Sequence, residues 1–220
     1  MRNLMNLLLI FTALAITTGV FAQSIGIKAG LNLSTMLVKD DDDTYSNDFI
    51  LNPGFHAGVV GEIPFGDVFA VEPGLFLTTK GYKIDEKILD MTIKGNINPM
   101  YIELPVNGKF SFDLGGVRIY LAAGPYVGYG IGGKYKTEMT NESGNKETEE
   151  QDIQWGSDEA KDDFKNLDYG VTAGAGIEIS GMTVGFSYGY GLANISPYTH
   201  HGYIVNNRVM EISAGYKFGF

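Results

Sequence analysis

Three clusters carry residue types and spacings that chemistry could use. Asp40, Asp41, Asp42 and Asp43 stand in a row and offer the carboxylate oxygens that Ca²⁺ favours. The run lacks the spaced ligands and the turn glycine of a defined calcium loop, so it reads as a solvated acidic loop. His200 and His201 are imidazole donors, but neighbours on a strand point to opposite faces, and no third ligand accompanies them. His56 with Glu62 or Glu72 has the makings of an acid–base pair. A salt-bridged interior histidine is the plainer reading, because no Ser sits in a nucleophile motif. The absence of Cys removes thiolate nucleophiles, thiolate metal sites and disulfides. The acid-rich stretch 137–165 could meet cationic surfaces or bridging divalent ions, and its composition predicts a mobile, solvated loop. These residues predict no enzyme and no cofactor.

The elements that must carry them are β-strands. Thirty Gly, 13 Tyr and 13 Phe in 220 residues, with 44% hydrophobic residues, suit a β-rich chain with close backbone contacts. A net charge of −10 argues against nucleic acid as a partner. Residues 1–22 read as a cleaved secretory signal peptide: Arg2, an apolar run from Leu7 to Ile16, then Val20-Phe21-Ala22 before Gln23. That run is shorter than the ~20 residues a spanning helix needs. Residues 23–220 then form one domain.

Eight segments of that domain alternate with period two. In the last, Met210, Ile212, Ala214, Tyr216, Phe218 and Phe220 share one face, and Glu211, Ser213, Gly215, Lys217 and Gly219 the other. The other segments lie at 25–34, 55–63, 69–78, 101–112, 117–131, 167–180 and 184–193. Alternation alone fits a soluble barrel with its apolar face inward or a membrane barrel with that face towards lipid. Wide aromatic faces, opposite faces of Gly, Ser, Thr and mixed charge, and segments of about ten residues favour lipid. The connections alternate long and short: 38–50, 83–96, 137–165 and 195–207 against 64–67, 113–116 and 180–182. That asymmetry predicts long external loops, short periplasmic turns and both termini in the periplasm. The expected fold is all-β: an eight-stranded antiparallel up-and-down transmembrane β-barrel.

Parity then places charge inside. Lys28, Lys109, Arg118 and Lys217 face Glu62, Glu72, Glu103, Glu178 and Glu211, with His56 nearby. Isolated buried charge is costly, so a paired interior network is expected. An eight-stranded barrel is just wide enough for side chains to fill it, which argues against an open nutrient pore. Outward aromatics form two bands: Phe69, Phe110, Phe112, Phe218 and Phe220 at one end, Tyr129, Tyr188 and Tyr190 towards the other.

The opening strand Gly26-Ile27-Lys28-Ala29-Gly30-Leu31-Asn32-Leu33-Ser34, the Glu72-Pro73-Gly74-Leu75 and Ile102-Glu103-Leu104-Pro105 segments, Ala122-Ala123-Gly124-Pro125-Tyr126 and the terminal Phe220 follow one another in a characteristic order. In this the chain resembles the PorT-like small outer-membrane β-barrel proteins of Bacteroidota, whose architecture is similar to that of OmpA and OmpX. The resemblance implies residence in the Gram-negative outer membrane. It also implies a C-terminal signal, here Tyr216, Phe218 and Phe220, read by the barrel-insertion machinery. The PorT name is associated with protein secretion and gliding. The expected role is therefore structural, adhesive or secretion-supporting, exercised through the external loops, with outer-membrane lipid and envelope or secretion-system proteins as partners. The alternatives are a narrow pore or small-solute binder and a lipid-modifying enzyme.

Overall fold

The computed structural model describes residues 24–88, 91–140 and 146–219, so the expected signal peptide and Phe220 lie outside the described residues. Ten strands follow in order: β1 Ser24–Lys39, β2 Asn52–Phe65, β3 Phe69–Thr79, β4 Tyr82–Ile88, β5 Met91–Asp113, β6 Val117–Thr140, β7 Lys146–Asp152, β8 Leu167–Ile179, β9 Met182–Gly191 and β10 Ile204–Gly219. All pairings between strands are antiparallel.

Eight strands make a closed ring: β1, β2, β3, β5, β6, β8, β9 and β10, with β10 returning to β1. That closing pair is in register from Ser24↔Gly219 to Lys39↔Ile204. β4 is the continuation of β3, for both pair with β5. The break falls at Lys80-Gly81. Gly81 takes φ +121°, and a Cβ there would strike the Ile97 carbonyl, so the bend needs glycine.

Inside and outside are inverted relative to a soluble barrel. Leu31, Leu121, Val184 and Phe186 are more than half exposed on the outer wall. Lys109, Glu72, His56 and Asn32 are buried within. Water cannot be the solvent such an outer wall prefers, whereas hydrocarbon can. At the short-turn end Phe69 packs against Phe110 with ring centroids 5.0 Å apart, and Tyr216 against Phe218 at 4.9 Å.

Two expected loops are not loops. Tyr82–Ile88 pairs with Met91–Ile97 as β4 against the start of β5, and residues 117–140 are one strand whose far part pairs with β7. β4, β5, β6 and β7 thus continue as a four-stranded sheet beyond the ring. Both β4, with Tyr82, Ile84 and Ile88 against Lys83, Asp85 and Lys87, and the start of β5, with Met91, Ile93 and Ile97 against Thr92, Lys94 and Asn96, do alternate, so the strand signal was there; only β7 is polar at every position and gives no such pattern. The segment 153–166 is ordered as well, because Ile153 and Phe164 are buried in a packed cluster.

An Arg at mid-wall tests the inverted solvent. Leu121→Arg is expected to cost about 2–4 kcal/mol in urea titrations of the protein folded into lipid vesicles. An unchanged midpoint would mean the outer wall does not face lipid.

Candidate functional site

The lumen is organised in layers because successive inward positions on each strand are two residues apart. Near the short turns, Lys109 Nζ lies 2.7 Å from Glu62 Oε2, 3.3 Å from Glu178 Oε2 and 3.7 Å from Glu72 Oε2. Lys217 Nζ bridges the same Glu62, at 2.6 Å, and Glu178. Lys28 Nζ donates to Glu72 Oε1 at 2.9 Å. Lys109 also sits 4.5 Å above the Tyr120 ring. Three lysines and three glutamates from six strands therefore share one network, each carboxylate meeting at least two cations or a cation and its hydrogen bond. Arg118 stands at its edge, 3.9 Å from Glu178 and 41% exposed.

Three sequence-designated residues are arranged differently. The ring nitrogens of His56 face Asn32 Oδ1 at 2.6 Å and Ser213 Oγ at 2.9 Å, not a carboxylate. The register explains this: His56 lies opposite Gly30 and Thr78, while Glu62 lies opposite Ser24, a different layer. The acid–base pairing of His56 with Glu62 or Glu72 is therefore not formed. Glu211 accepts from Ser187 Oγ at 2.8 Å and has no ion-pair partner among the described residues. Glu103 belongs to a second cluster higher in the barrel.

That second cluster was not legible as a cluster. Lys80 Nζ contacts Glu103 Oε2 and lies 2.9 Å from Asp168 Oδ2, and it sits 4.2 Å above the Tyr126 ring. Asn207 Nδ2 donates to Asp168 Oδ2 at 3.0 Å, and Tyr126 Oη donates to the same oxygen at 3.3 Å. Tyr101, Asn32, Asp168 and Asn207 are completely buried around it. Lys80 occupies the bend between β3 and β4, where the alternation lapses, so parity could not assign it a face. Asp168 lay on the polar face of its segment, and its charge was the available signal.

Between the clusters lies a cavity of about 70 Å³ bounded by Lys28, His56, Glu72, Glu103, Tyr120 and Glu211. It is large enough for a few water molecules. Towards the short turns the lumen opens into a vestibule of about 720 Å³. Towards the long connections it is shut twice. Above the Lys80 layer, Met36, Val38, Ile153, Phe164, Ala193, Ile195 and Val205 form an apolar cluster. Trp155 closes its underside, 5.3 Å from the Tyr101 ring and T-shaped to it. Gly130 makes this possible, since a Cβ there would overlap the indole. Phe49 stacks on Tyr82 at 3.9 Å, and Tyr135 lies nearly parallel to Phe164. Each of the four long connections or its flanking strands supplies side chains to this cap. Nothing in the spacing of Ile153, Trp155 and Phe164 announced it.

The candidate metal ligands are otherwise engaged. Asp40 accepts from the backbone N–H groups of Asp42 and Asp43 at 2.9 and 2.8 Å and from Tyr45 Oη at 2.6 Å. His200 and His201 lie in a short 3₁₀ turn rather than a strand, and His200 Nε2 is 3.3 Å from Glu159. No group of three or more His, Cys, Asp or Glu side chains converges on a metal-sized site among the described residues. The Tyr45 hydrogen bond and the two backbone N–H groups hold the Asp40 carboxyl below its ordinary 3.8, and Asp40 pushes the Tyr45 phenol up to about 12.

A closed ring with an apolar outer wall and an ion-paired lumen defines a membrane-spanning β-barrel. The family model of the outer membrane protein beta-barrel domain matches residues 21–196, and the chain belongs to that family. It therefore sits in the outer membrane. Similar solved structures include Ail, the attachment invasion locus protein of Yersinia pestis (16% identity over 90% of this chain and 99% of that one, TM-score 0.39). Neisserial surface protein A is 15% identical over 89% and 97% of the two chains, with a TM-score of 0.40. The outer membrane protein OprG of Pseudomonas aeruginosa is 13% identical over 90% and 97%, with a TM-score of 0.44. No curated protein matches the chain.

Two measurements test these sites. Lys109→Met leaves Glu62, Glu72 and Glu178 short of their shared cation and is expected to destabilise the barrel by about 3–5 kcal/mol in urea; a shift under about 1 kcal/mol would show the network to be inessential. The Asp40 turn is fully stabilised above the ordinary carboxylate value and loses that contribution as pH falls through the depressed one. Asp40→Asn is expected to bring Tyr45 ionisation from about 12 back towards 10.0, read by NMR of labelled tyrosine.

Proposed function

We infer that this protein is a sealed outer-membrane anchor that presents a rigid interaction platform at the cell surface. The observation that carries this reading is the double closure of the lumen, by the buried Lys80–Glu103–Asp168 layer and by the apolar cap above it. A pore would need a wetted path, and Tyr101, Asp168 and Asn207 leave none at that level. The short turns and both termini face the periplasm. Supporting this is the concentration of long connections, cap and projecting sheet at the opposite end of the barrel. Residues 1–22 are the export signal. Tyr216 and Phe218, outward-facing at the short-turn end, serve with Phe220 as the signal for barrel insertion. The charged lumen network is structural and the chain is not an enzyme. Support of a PorT-type secretion apparatus is the finer role in keeping with the motifs in the opening and internal strands.

Planar-bilayer recordings of the purified protein are expected to show no conductance, and Trp155→Ala is expected to stay silent because the Lys80 layer lies beneath the cap. Stepwise openings in the unmodified protein would replace the anchor reading with the pore. An epitope inserted in the 141–145 connection is expected to bind antibody on intact cells. Labelling only after permeabilisation would reverse the orientation.

A further inference from the structure

The projecting sheet has two edges, and they are not alike. The β4 edge is partly covered, because Ile50 and Lys83 exchange backbone hydrogen bonds of 2.9 and 3.0 Å. The β7 edge is bare. β7 pairs with β6 from Lys134↔Asp152 to Thr140↔Lys146, and no other strand pairs with it among the described residues. All seven of its residues are exposed. In an antiparallel pair alternate residues turn their N–H and C=O groups away from the partner, so β7 offers an unfilled ladder.

Its side chains decide what can fill that ladder. The sequence from Lys146 to Asp152 holds Glu147, Glu149, Glu150 and Asp152. Lys146 is bound to Glu138 at 2.9 Å and Glu150 to Lys134 at 3.2 Å. Glu147, Glu149 and Asp152 have no ion-pair partner among the described residues. A second copy of this chain is a poor occupant. Antiparallel self-pairing about the strand centre sets Glu149 against Glu149, with Glu147 diagonal to it on the same face, and like charges directly opposite are destabilising; the Lys146–Asp152 pairs at the two ends offset this only in part, since Lys146 is already bound to Glu138. The same charges favour a cationic strand on both counts, opposite pairing and electrostatic attraction.

We propose that the β7 edge receives an extended, Lys- or Arg-rich segment of another protein as an added antiparallel strand. Backbone hydrogen bonds supply the attachment and the acidic side chains select the partner. This rests on the surface-platform reading, but binding to the purified protein does not depend on which way the barrel faces in the cell, so the two can fail separately.

The test uses the whole protein in detergent micelles and the synthetic peptide acetyl-Lys-Thr-Lys-Val-Lys-Thr-Lys-amide. Its all-Glu counterpart and two N-methylated forms, methylated on even or on odd residues, are the controls. The cationic peptide is expected to bind and the acidic one not. One N-methylated register should lose binding while the other keeps it, because only alternate N–H groups face the edge. Glu147→Lys combined with Glu149→Lys is expected to weaken binding by about tenfold or more. Equal binding of both N-methylated forms would reduce the interaction to charge alone and overturn strand addition. No binding of the cationic peptide would overturn the proposal outright, even with the surface epitope labelled on intact cells.

Discussion

The pairing of β10 with β1 is the constraint on which the rest depends. In hydrocarbon an unpaired backbone N–H or C=O finds no water, and each costs several kcal/mol. An open sheet would leave two such edges along the whole bilayer. Closing Ser24–Lys39 onto Ile204–Gly219 removes both. The closure also settles which face of every strand looks inward, since a slip of one residue would exchange the two faces. The apolar positions of all eight strands then point to lipid together.

Closure creates the second problem, a narrow lumen that must hold the opposite faces. Those faces carry charge, and charge away from water is tolerated only when paired. The barrel meets this by sharing. Lys109 serves three glutamates, and Lys217 serves two of the same three. Around Lys80, two aromatic rings and two carboxylates do what bulk water would do for an exposed ammonium. Small residues on β8 and β9, such as Gly176 and Gly185 beneath Tyr120, leave space for the long side chains to reach across.

Unequal strand length makes the two ends different. β5 and β6 have 23 and 24 residues, about twice what a tilted crossing needs. The surplus cannot join the ring, because neighbours such as β8 end earlier. It continues as a sheet of its own, and the cap forms against the base of that sheet where Tyr82, Ile97 and Tyr135 turn inward. The ordinary apolar core of this protein is therefore not in the membrane-spanning region at all. It sits at one mouth, where water outside restores the hydrophobic driving force that lipid removes.

Period-two alternation, the placing of rings such as Phe69 and Phe110, and the long–short order of connections determined the barrel, its strand number and its lipid-facing wall. These are local signals, and each needs only a few consecutive residues to be read. The presence of Lys109, Glu62, Glu72, Glu178 and Lys217 on inward faces was legible in the same way. Which of them touch was not, because contact depends on the register between strands as far apart in sequence as Glu62 and Lys217. His56 shows the limit: parity put it inside, but register put it beside Asn32 and Ser213. Lys80 was missed because the bend at Gly81 interrupts the alternation. The cap, and the assembly of β4 to β7 into a sheet beyond the ring, were decided by tertiary structure. Ile153, Trp155 and Phe164 are too few and too far apart to make a periodic signal, and they become a core only because four connections converge on the same barrel mouth.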